Sequence, residues 1–133
     1  METERLREAF ARVAYAQLLG IKLEETTRGR ATLSLEWRAE LSRMEGIMHG
    51  GAIASLIDTA SAFAVLSLLE LPERTVTVDL TLHFLRPVSN GRIEARARVL
   101  RSGRRLATVS VEVSNEAGLL IATALTTYIK ISE

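Results

Sequence analysis

Apolar and polar residues alternate along the chain with periods that separate helices from strands. Residues 2–18 carry apolar side chains at close to helical spacing, and Gly20 ends this pattern. Residues 21–37 alternate as strands do on either side of the pair Arg28-Gly29. This second segment therefore predicts a β-hairpin.

The middle of the chain is a long apolar segment preceded by a polar one. Residues 38–48 are mostly polar and predict a loop. Apolar and small residues then run from about Gly50 to Glu70, too long for a strand, and predict one long helix. Pro72 follows and is predicted to fix the end of that helix.

Four strand-like segments follow the long helix. The first has alternating apolar residues that predict one apolar face: Val76, Val78, Leu80, Leu82 and Phe84. Three further segments alternate over residues 92–100, 105–114 and 119–131. Glycine-containing pairs mark the turns: Asn90-Gly91, Ser102-Gly103 and Ala117-Gly118. Because the three connections are short, consecutive strands are predicted to be antiparallel neighbours.

These elements predict a fold of the α+β class. A helix that is apolar on most of its surface has to be covered on more than one side. A curved antiparallel sheet wrapped around the long helix would cover it. With 133 residues, 47% of them hydrophobic, the chain can bury a core of its own, and we expect a single domain over residues 1–133.

Composition excludes several classes of function. The net charge of +1 gives no strong attraction to nucleic acid or to acidic membranes, so neither is an expected partner. The first ten residues, METERLREAF, are too charged for a secretory signal, and no segment resembles a membrane span. We therefore expect a cytoplasmic protein. With no cysteine and two separated histidines, no metal site is expected.

Asp58 is the unusual residue of the long helix, because two turns of mostly apolar side chains flank it on each side. A buried carboxylate costs several kcal/mol unless it is paired or hydrogen-bonded. Asp58 could instead lie on a narrow exposed stripe with Glu70, or bond a neighbouring serine or threonine. The functional interpretation is a nucleophile or general base in a partly apolar site.

Gly50 and Gly51 lie where the long helix begins. Glycines let backbone N–H groups approach a ligand, and the first turn offers free N–H groups at the positive end of the helix dipole. Such a site can hold a carbonyl oxygen that becomes negative; tight packing is the alternative. His49 could cap the helix, anchor the loop or act as an acid or base. His83, on a polar strand face, is predicted to be solvated.

The spacing His-Gly-Gly followed seven residues later by Asp58 resembles the hotdog-fold acyl-CoA thioesterases. The likeness is greatest to the PaaI-like branch, to which the phenylacetate-pathway and 4-hydroxybenzoyl-CoA thioesterases are related. It extends over nearly the whole chain, through VTVDLTLHFLRPV, SGRRLATVSVEV and GLLIATALTTY. It implies hydrolysis of a small aryl-acyl or a short- to medium-chain acyl-CoA. No cofactor is implied, since coenzyme A is part of the substrate.

The resemblance also implies roles for individual residues. The Asp58 carboxylate would attack the thioester or activate water, and the Gly50 N–H would polarise the carbonyl. Thr77, in VTVD, would help to hold the water. Arg43 departs from the family pattern, which usually has asparagine there; arginine only donates hydrogen bonds. Arg43 and Gly51 are expected to line the substrate site.

Three arginines flank the Ser102-Gly103 turn: Arg101, Arg104 and Arg105. Guanidinium groups match phosphate oxygens, so one or more of them is expected to contact the phosphates of coenzyme A. A solvated turn is the alternative.

The separation of Gly50 and Asp58 bears on the oligomeric state. Eight residues of helix span about 12 Å, and an aspartate side chain is too short to close that gap. Either the two residues do not serve one carbonyl, or Asp58 comes from a second subunit. Two helices packed antiparallel about a two-fold axis would form two shared sites. The hotdog resemblance implies the same homodimer, with dimers often pairing into tetramers.

Two other functions compete with thioester hydrolysis. A hotdog-fold hydratase would need an Asp/His pairing that is not evident here. A non-catalytic acyl-CoA-binding protein would use the fold for ligand binding alone. The residues leave the acyl group open, as well as the choice between a covalent anhydride and activated water.

Overall fold

A computed structural model describes residues 2–70 and 73–131 as one sheet curved around one long helix. Its helices are α1 (Glu2–Ala11), α2 (Ala14–Leu19) and α3 (Gly50–Leu66). Its strands are β1 (Lys22–Thr27), β2 (Arg30–Glu36), β3 (Arg74–Phe84), β4 (Arg92–Ser102), β5 (Leu106–Asn115) and β6 (Leu120–Ile131). The strands form a six-stranded sheet in the order β1-β2-β4-β5-β6-β3, antiparallel throughout. The predicted α+β hotdog architecture is confirmed.

The core lies between α3 and the concave face of the sheet. Helix α3 buries Leu56 and Ile57 completely, and β5 meets it with alternate buried valines. Fully burying one such side chain stabilises the fold by roughly 1.5–3 kcal/mol. The alternation predicted for β4 and β5 is confirmed over residues 93–99 and 107–113, where every second residue faces this core. None of the helices in the described ranges is long and apolar enough to cross a membrane.

The segments before α3 follow the prediction with two refinements. The N-terminal helical segment is two helices, α1 and α2, and Gly20 ends the second in a left-handed conformation at φ 83°. The predicted hairpin is β1 and β2, with Gly29 in its turn at φ 77°. The predicted loop contains two short 3₁₀ turns, Ala39–Leu41 and Met44–Gly46.

Helix α3 is shorter than predicted, because it ends at Leu66 instead of near residue 70. The Ser67 hydroxyl donates to a carbonyl one turn back and accepts the N–H of Gly29, each over 2.7 Å. The Arg5 guanidinium donates to two carbonyls at the same end. These contacts satisfy groups that a terminating helix leaves unpaired. Pro72, predicted to fix the end, lies outside the described residues.

The predicted pairing of β3 with β4 is wrong: β3 pairs with β6, and β4 lies between β2 and β5. The connecting residues 85–91 do not form a hairpin turn. The N–H of Leu85 bonds the carbonyl of Ile121 over 2.8 Å, and the carbonyl of Val88 accepts the N–H of Met48 over 2.7 Å. Tertiary contacts therefore direct this short connection past β6 and β5.

The single apolar face predicted for β3 is also wrong, because a β-bulge lies between Thr77 and Asp79. A bulge adds one residue to a strand and reverses the alternation beyond it. Thr77 contacts α3 and Leu82 packs against the core, although the two are an odd number of residues apart. Val76 and Val78 remain 48% and 57% exposed. The bulge thus turns a polar residue of β3 toward the helix.

Candidate active site

Asp58 lies half-buried in the middle of α3, where two hydroxyl groups bond its side chain. Thr77 Oγ1 donates to Asp58 Oδ1 over 2.9 Å. The Tyr128 hydroxyl donates to the same Oδ1 and lies 2.7 Å from the main-chain carbonyl oxygen of Asp58. Hydrogen bonds of this kind offset the cost of placing a carboxylate in a partly apolar site. The threonine partner belongs to β3, 19 residues away, and is not a neighbour on the helix.

Tyr128 is a site residue that the sequence analysis missed. It lies on the inner face of β6 and is 1% exposed. Burial raises the pKa of its hydroxyl, and the hydrogen bond and negative charge of Asp58 raise it further. The hydroxyl is therefore protonated at neutral pH and can donate a hydrogen bond there. The sequence offered one indication of this role, a large tyrosine among alanine and threonine on the inward face of β6.

The stability of the fold is expected to depend on Tyr128 above pH 10. An unfolded tyrosine ionises near pH 10. Because the folded pKa is higher, stability is fully present below about pH 10 and falls above it, by up to about 1.4 kcal/mol per pH unit from this group. Urea unfolding of wild type and Tyr128→Phe at pH 9, 10 and 11 would measure it. The Phe variant should lose less stability over this range; parallel losses would contradict the prediction.

A cavity of about 370 Å³ lies beside Asp58, bordered also by Thr77 and Tyr128. Most of its other side chains are apolar, and they come from α3 and from the N-terminal segment: Ala9, Val13, Ala62, Phe63 and Leu66. Polar side chains also line it, from the helices and from β3: Tyr15, Thr59, Arg74 and Thr75. The arrangement places a carboxylate at the edge of a space suited to a hydrocarbon or aromatic group.

The start of α3 presents one free backbone N–H. His49 caps the helix, with its Nδ1 accepting the Gly51 N–H over 2.7 Å. A Cβ at Gly51 would lie only 2.9 Å from that nitrogen, so the cap requires glycine there. The Gly50 N–H has no hydrogen-bond partner among residues 2–70 and 73–131. Gly50 is therefore the available donor at the positive end of the helix dipole.

The cap occupies one ring nitrogen of His49 and the backbone N–H of Gly51. An acid or base role of His49 through its other ring nitrogen stays a prediction. Of the predicted roles of His49, the geometry shows the cap, and Nδ1 cannot accept a proton while it accepts the Gly51 N–H. The Gly51 N–H is likewise occupied and is not free for a substrate carbonyl. Substrate binding through Gly51 stays a prediction, and its backbone N–H does not support it because that N–H already donates to His49 Nδ1.

Gly50 and Asp58 do not come together within one chain. Gly50 borders a separate cavity of about 250 Å³, with Phe84 and Pro87 on its walls. Asp58 does not border that cavity, and eight residues of helix separate the two backbones by about 12 Å. Within one chain, Gly50 and Asp58 therefore border two separate cavities.

The remaining predicted residues lie on the surface. Arg43 is exposed on the loop that leads into α3, on the Gly50 side, and its side chain makes no hydrogen bond or ion pair within the described ranges. His83 is exposed on β3, as predicted.

The turn between β4 and β5 carries a cluster of positive charge. Arg101, Arg104 and Arg105 are exposed there, and none pairs with an acidic residue in the described part of the chain. Lys130, which the sequence analysis did not select, donates to Ser102 Oγ and to the Gly103 carbonyl, each over 2.6 Å. Lys130 follows Tyr128 by two residues on β6, about 7 Å along the strand. The basic turn is thus at the same end of the sheet as the Asp58 cavity.

Comparison with known proteins gives consistent matches. A family model described as Thioesterase superfamily matches residues 45–122. The chain is 32% identical over 111 residues to a putative esterase of Saccharolobus solfataricus, covering 84% of this chain and 73% of the relative. It is 30% identical over 129 residues to the medium/long-chain acyl-CoA thioesterase YigI of Salmonella typhimurium, covering 86% and 83%. The PaaI protein of the E. coli phenylacetic acid degradation operon superposes with a TM-score of 0.88 at 26% identity, covering 95% and 90%.

Proposed function

The chain belongs to the thioesterase superfamily and is a thioester hydrolase, and we propose that it cleaves a small aryl-acyl or a short- to medium-chain acyl-CoA. The observation that carries this proposal is the Asp58 carboxylate, held by Thr77 and Tyr128 at the rim of an apolar cavity. The reaction breaks the thioester C–S bond, consumes one water and releases a carboxylic acid and coenzyme A.

The residues divide the chemistry between them. Asp58 acts as nucleophile or as general base toward water, and both routes are compatible with its position. The free Gly50 N–H donates to the thioester oxygen as negative charge develops there. The Thr77 hydroxyl donates a hydrogen bond to Asp58, so the lone pairs of its oxygen can accept a hydrogen bond from the attacking water.

The acyl group occupies the cavity beside Asp58 in this proposal. Its lining is mostly apolar and, besides Asp58, includes one charged residue among the described ranges, Arg74 at the β3 side. The relative YigI is named for medium- and long-chain substrates, which supports the longer end of the proposed range. A place in phenylacetate catabolism depends on the likeness to PaaI alone and stays a prediction.

A homodimer completes the site in this proposal. Strand β3 is an edge of the sheet, 11 residues long, with apolar residues exposed on it: Val76, Val78, Leu80 and Phe84. Long apolar edges of this kind are normally paired or covered. A second copy pairing along β3 would cover it and bring the two α3 helices together about a two-fold axis. Asp58 of one chain would then serve Gly50 of its partner; association into tetramers stays a prediction.

The basic turn is proposed to bind the phosphates of coenzyme A. Replacing Arg101, Arg104 and Arg105 together by glutamine should raise KM for acyl-CoA about tenfold at low salt, with kcat nearly unchanged, since one or more of the guanidinium groups is proposed to contact the phosphates. The salt dependence of KM should also weaken. Steady-state kinetics at two salt concentrations would measure both.

A matched control removes the same charge elsewhere. Arg28, Arg30 and Arg98 are exposed near the β1–β2 hairpin, and replacing them by glutamine should leave KM close to wild type. If the two triple variants raise KM equally, the effect is one of net charge. If replacing Arg101, Arg104 and Arg105 leaves KM unchanged, the turn is solvated and does not bind the phosphates.

The proposed function is tested with a panel of acyl-CoAs and a thiol reagent. Release of free thiol from aryl-acyl and from short- and medium-chain substrates would measure kcat/KM for each. The expected result is turnover with a preference within this range. Binding of acyl-CoA without thiol release would instead identify a non-catalytic acyl-CoA-binding protein.

A further inference from the structure

We propose that Tyr128 is a positioning residue that acts with Thr77 to hold one oxygen of the Asp58 carboxylate, so that the other oxygen, Oδ2, is the one that reacts. This inference rests on the proposed function, and it names the residue and the carboxylate oxygen on which that function depends.

The hydrogen bonds around Asp58 are unevenly divided between its two oxygens. Oδ1 accepts from both Thr77 Oγ1 and the Tyr128 hydroxyl. Oδ2 accepts no hydrogen bond from any residue in the ranges that the structure describes. A carboxylate offers about four lone-pair sites, and here the protein occupies only those of one oxygen. Oδ2 therefore keeps its lone pairs for a water proton or a thioester carbon.

Tyr128 also connects the carboxylate to the backbone of its own helix. Its hydroxyl is 2.7 Å from the Asp58 main-chain carbonyl oxygen while it bonds Oδ1. One phenol hydroxyl is thus within hydrogen-bond distance of both oxygens and shares its single proton between them, while Thr77 approaches from β3. A group whose rotamer is fixed in this way reacts from one geometry, which is how supporting residues raise the rate of a bound reaction.

The Tyr128 hydroxyl is engaged with Asp58, although the side chain borders the cavity. Tyr128→Phe keeps the aromatic ring and removes only this hydroxyl. The effect of the substitution should therefore appear in kcat, which depends on the geometry of Asp58, while KM, which depends on the cavity walls and the basic turn, should change little.

The same strand offers a control for the loss of a buried hydroxyl. Thr126 lies two residues before Tyr128 on the same face of β6, is fully buried, and its hydroxyl has no hydrogen-bond partner in the described ranges. Thr126→Val removes a hydroxyl without changing the shape of the side chain or the contacts of Asp58. It reports the general effect of altering this face of β6.

The test compares steady-state kinetics of wild type, Tyr128→Phe and Thr126→Val on the best acyl-CoA of the panel, with melting temperatures measured alongside. Tyr128→Phe should lower kcat about tenfold or more and leave KM within about twofold, because one hydrogen bond to a charged group is lost while the ring remains. Thr126→Val should keep kcat within about twofold of wild type. Thr77→Val should resemble Tyr128→Phe, and Thr77→Ser, which keeps the donor, should recover most of the activity.

Two kinetic results would overturn the proposal. One is a wild-type kcat in Tyr128→Phe. The other is an equal loss of kcat in Tyr128→Phe and Thr126→Val, with equal falls in the two melting temperatures. That result would show that the Tyr128 hydroxyl only stabilises this face of β6.

A spectroscopic readout separates this proposal from the proposed function. The buried hydroxyl proton of Tyr128 should give a downfield proton NMR signal that is absent in Tyr128→Phe and moves upfield in Asp58→Asn, where the acceptor is neutral. If wild type cleaves no acyl-CoA but this signal behaves as expected, the proposed function fails and the Tyr128–Asp58 contact stands. If the signal does not respond to Asp58→Asn, the positioning role fails whatever the activity.

Discussion

Asp58→Asn is expected to lower kcat for acyl-CoA hydrolysis by a factor on the order of 10² or more, from the loss of general-base catalysis alone. Asparagine keeps the shape of the side chain, and its carbonyl oxygen can still accept from Thr77 and Tyr128. It cannot take a proton from water or attack a thioester carbon. The melting temperature should therefore change little while turnover is nearly lost, as single-turnover thiol release and thermal unfolding would show.

Asp79→Asn is the matched control for this substitution. Asp79 is exposed on β3, and its carboxylate accepts the Thr81 hydroxyl over 3.1 Å, so the same chemical change is made near a similar contact. Its kcat should stay close to wild type. Wild-type turnover by Asp58→Asn would remove Asp58 from the mechanism, whatever the control does.

Mixed dimers are expected to recover activity from two inactive chains. Asp58→Asn removes the carboxylate, and Gly50→Val places a branched side chain beside the proposed oxyanion donor. A Cβ at Gly50 would lie 3.5 Å from the Phe84 ring, an ordinary contact, so the variant chain should fold. In a mixed dimer one site pairs the intact Gly50 with the intact Asp58, and the other site has neither.

The recovery has an expected size. Random assembly at equal amounts makes about half of the dimers mixed, each with one working site, so about one quarter of wild-type activity should return in the unfractionated mixture and about one half in purified mixed dimers. Co-expression with two different tags, purification of the mixed species and an acyl-CoA assay would measure this. Mixed dimers that form without recovery would show that the sites are not shared, and a fully active monomer would exclude the model altogether.

Local sequence patterns determined the elements and pointed to half of the site. The capping histidine, the two glycines and the isolated Asp58 all lie within one helix, so their spacing along the chain translates directly into a spacing in space. Strand alternation located β4 and β5 for the same reason, because side-chain direction in a strand depends only on position along it. The distance between Gly50 and Asp58 could therefore be calculated from helix geometry before the fold was known.

Only the tertiary structure decided which distant residues meet Asp58. Tyr128 lies 70 residues further along the chain, and it reaches Asp58 because β6 pairs with β3 and β5 beneath the helix. Strand order depends on which apolar faces cover the helix, and a short connection such as residues 85–91 does not specify it. The bulge that turns Thr77 inward likewise has no period-two signature, since it appears only when β3 is paired against β6. The sequence identified the carboxylate, and the family resemblance pointed to Thr77. Tyr128, and the contact of both hydroxyls with Asp58, required the packing of helix on sheet.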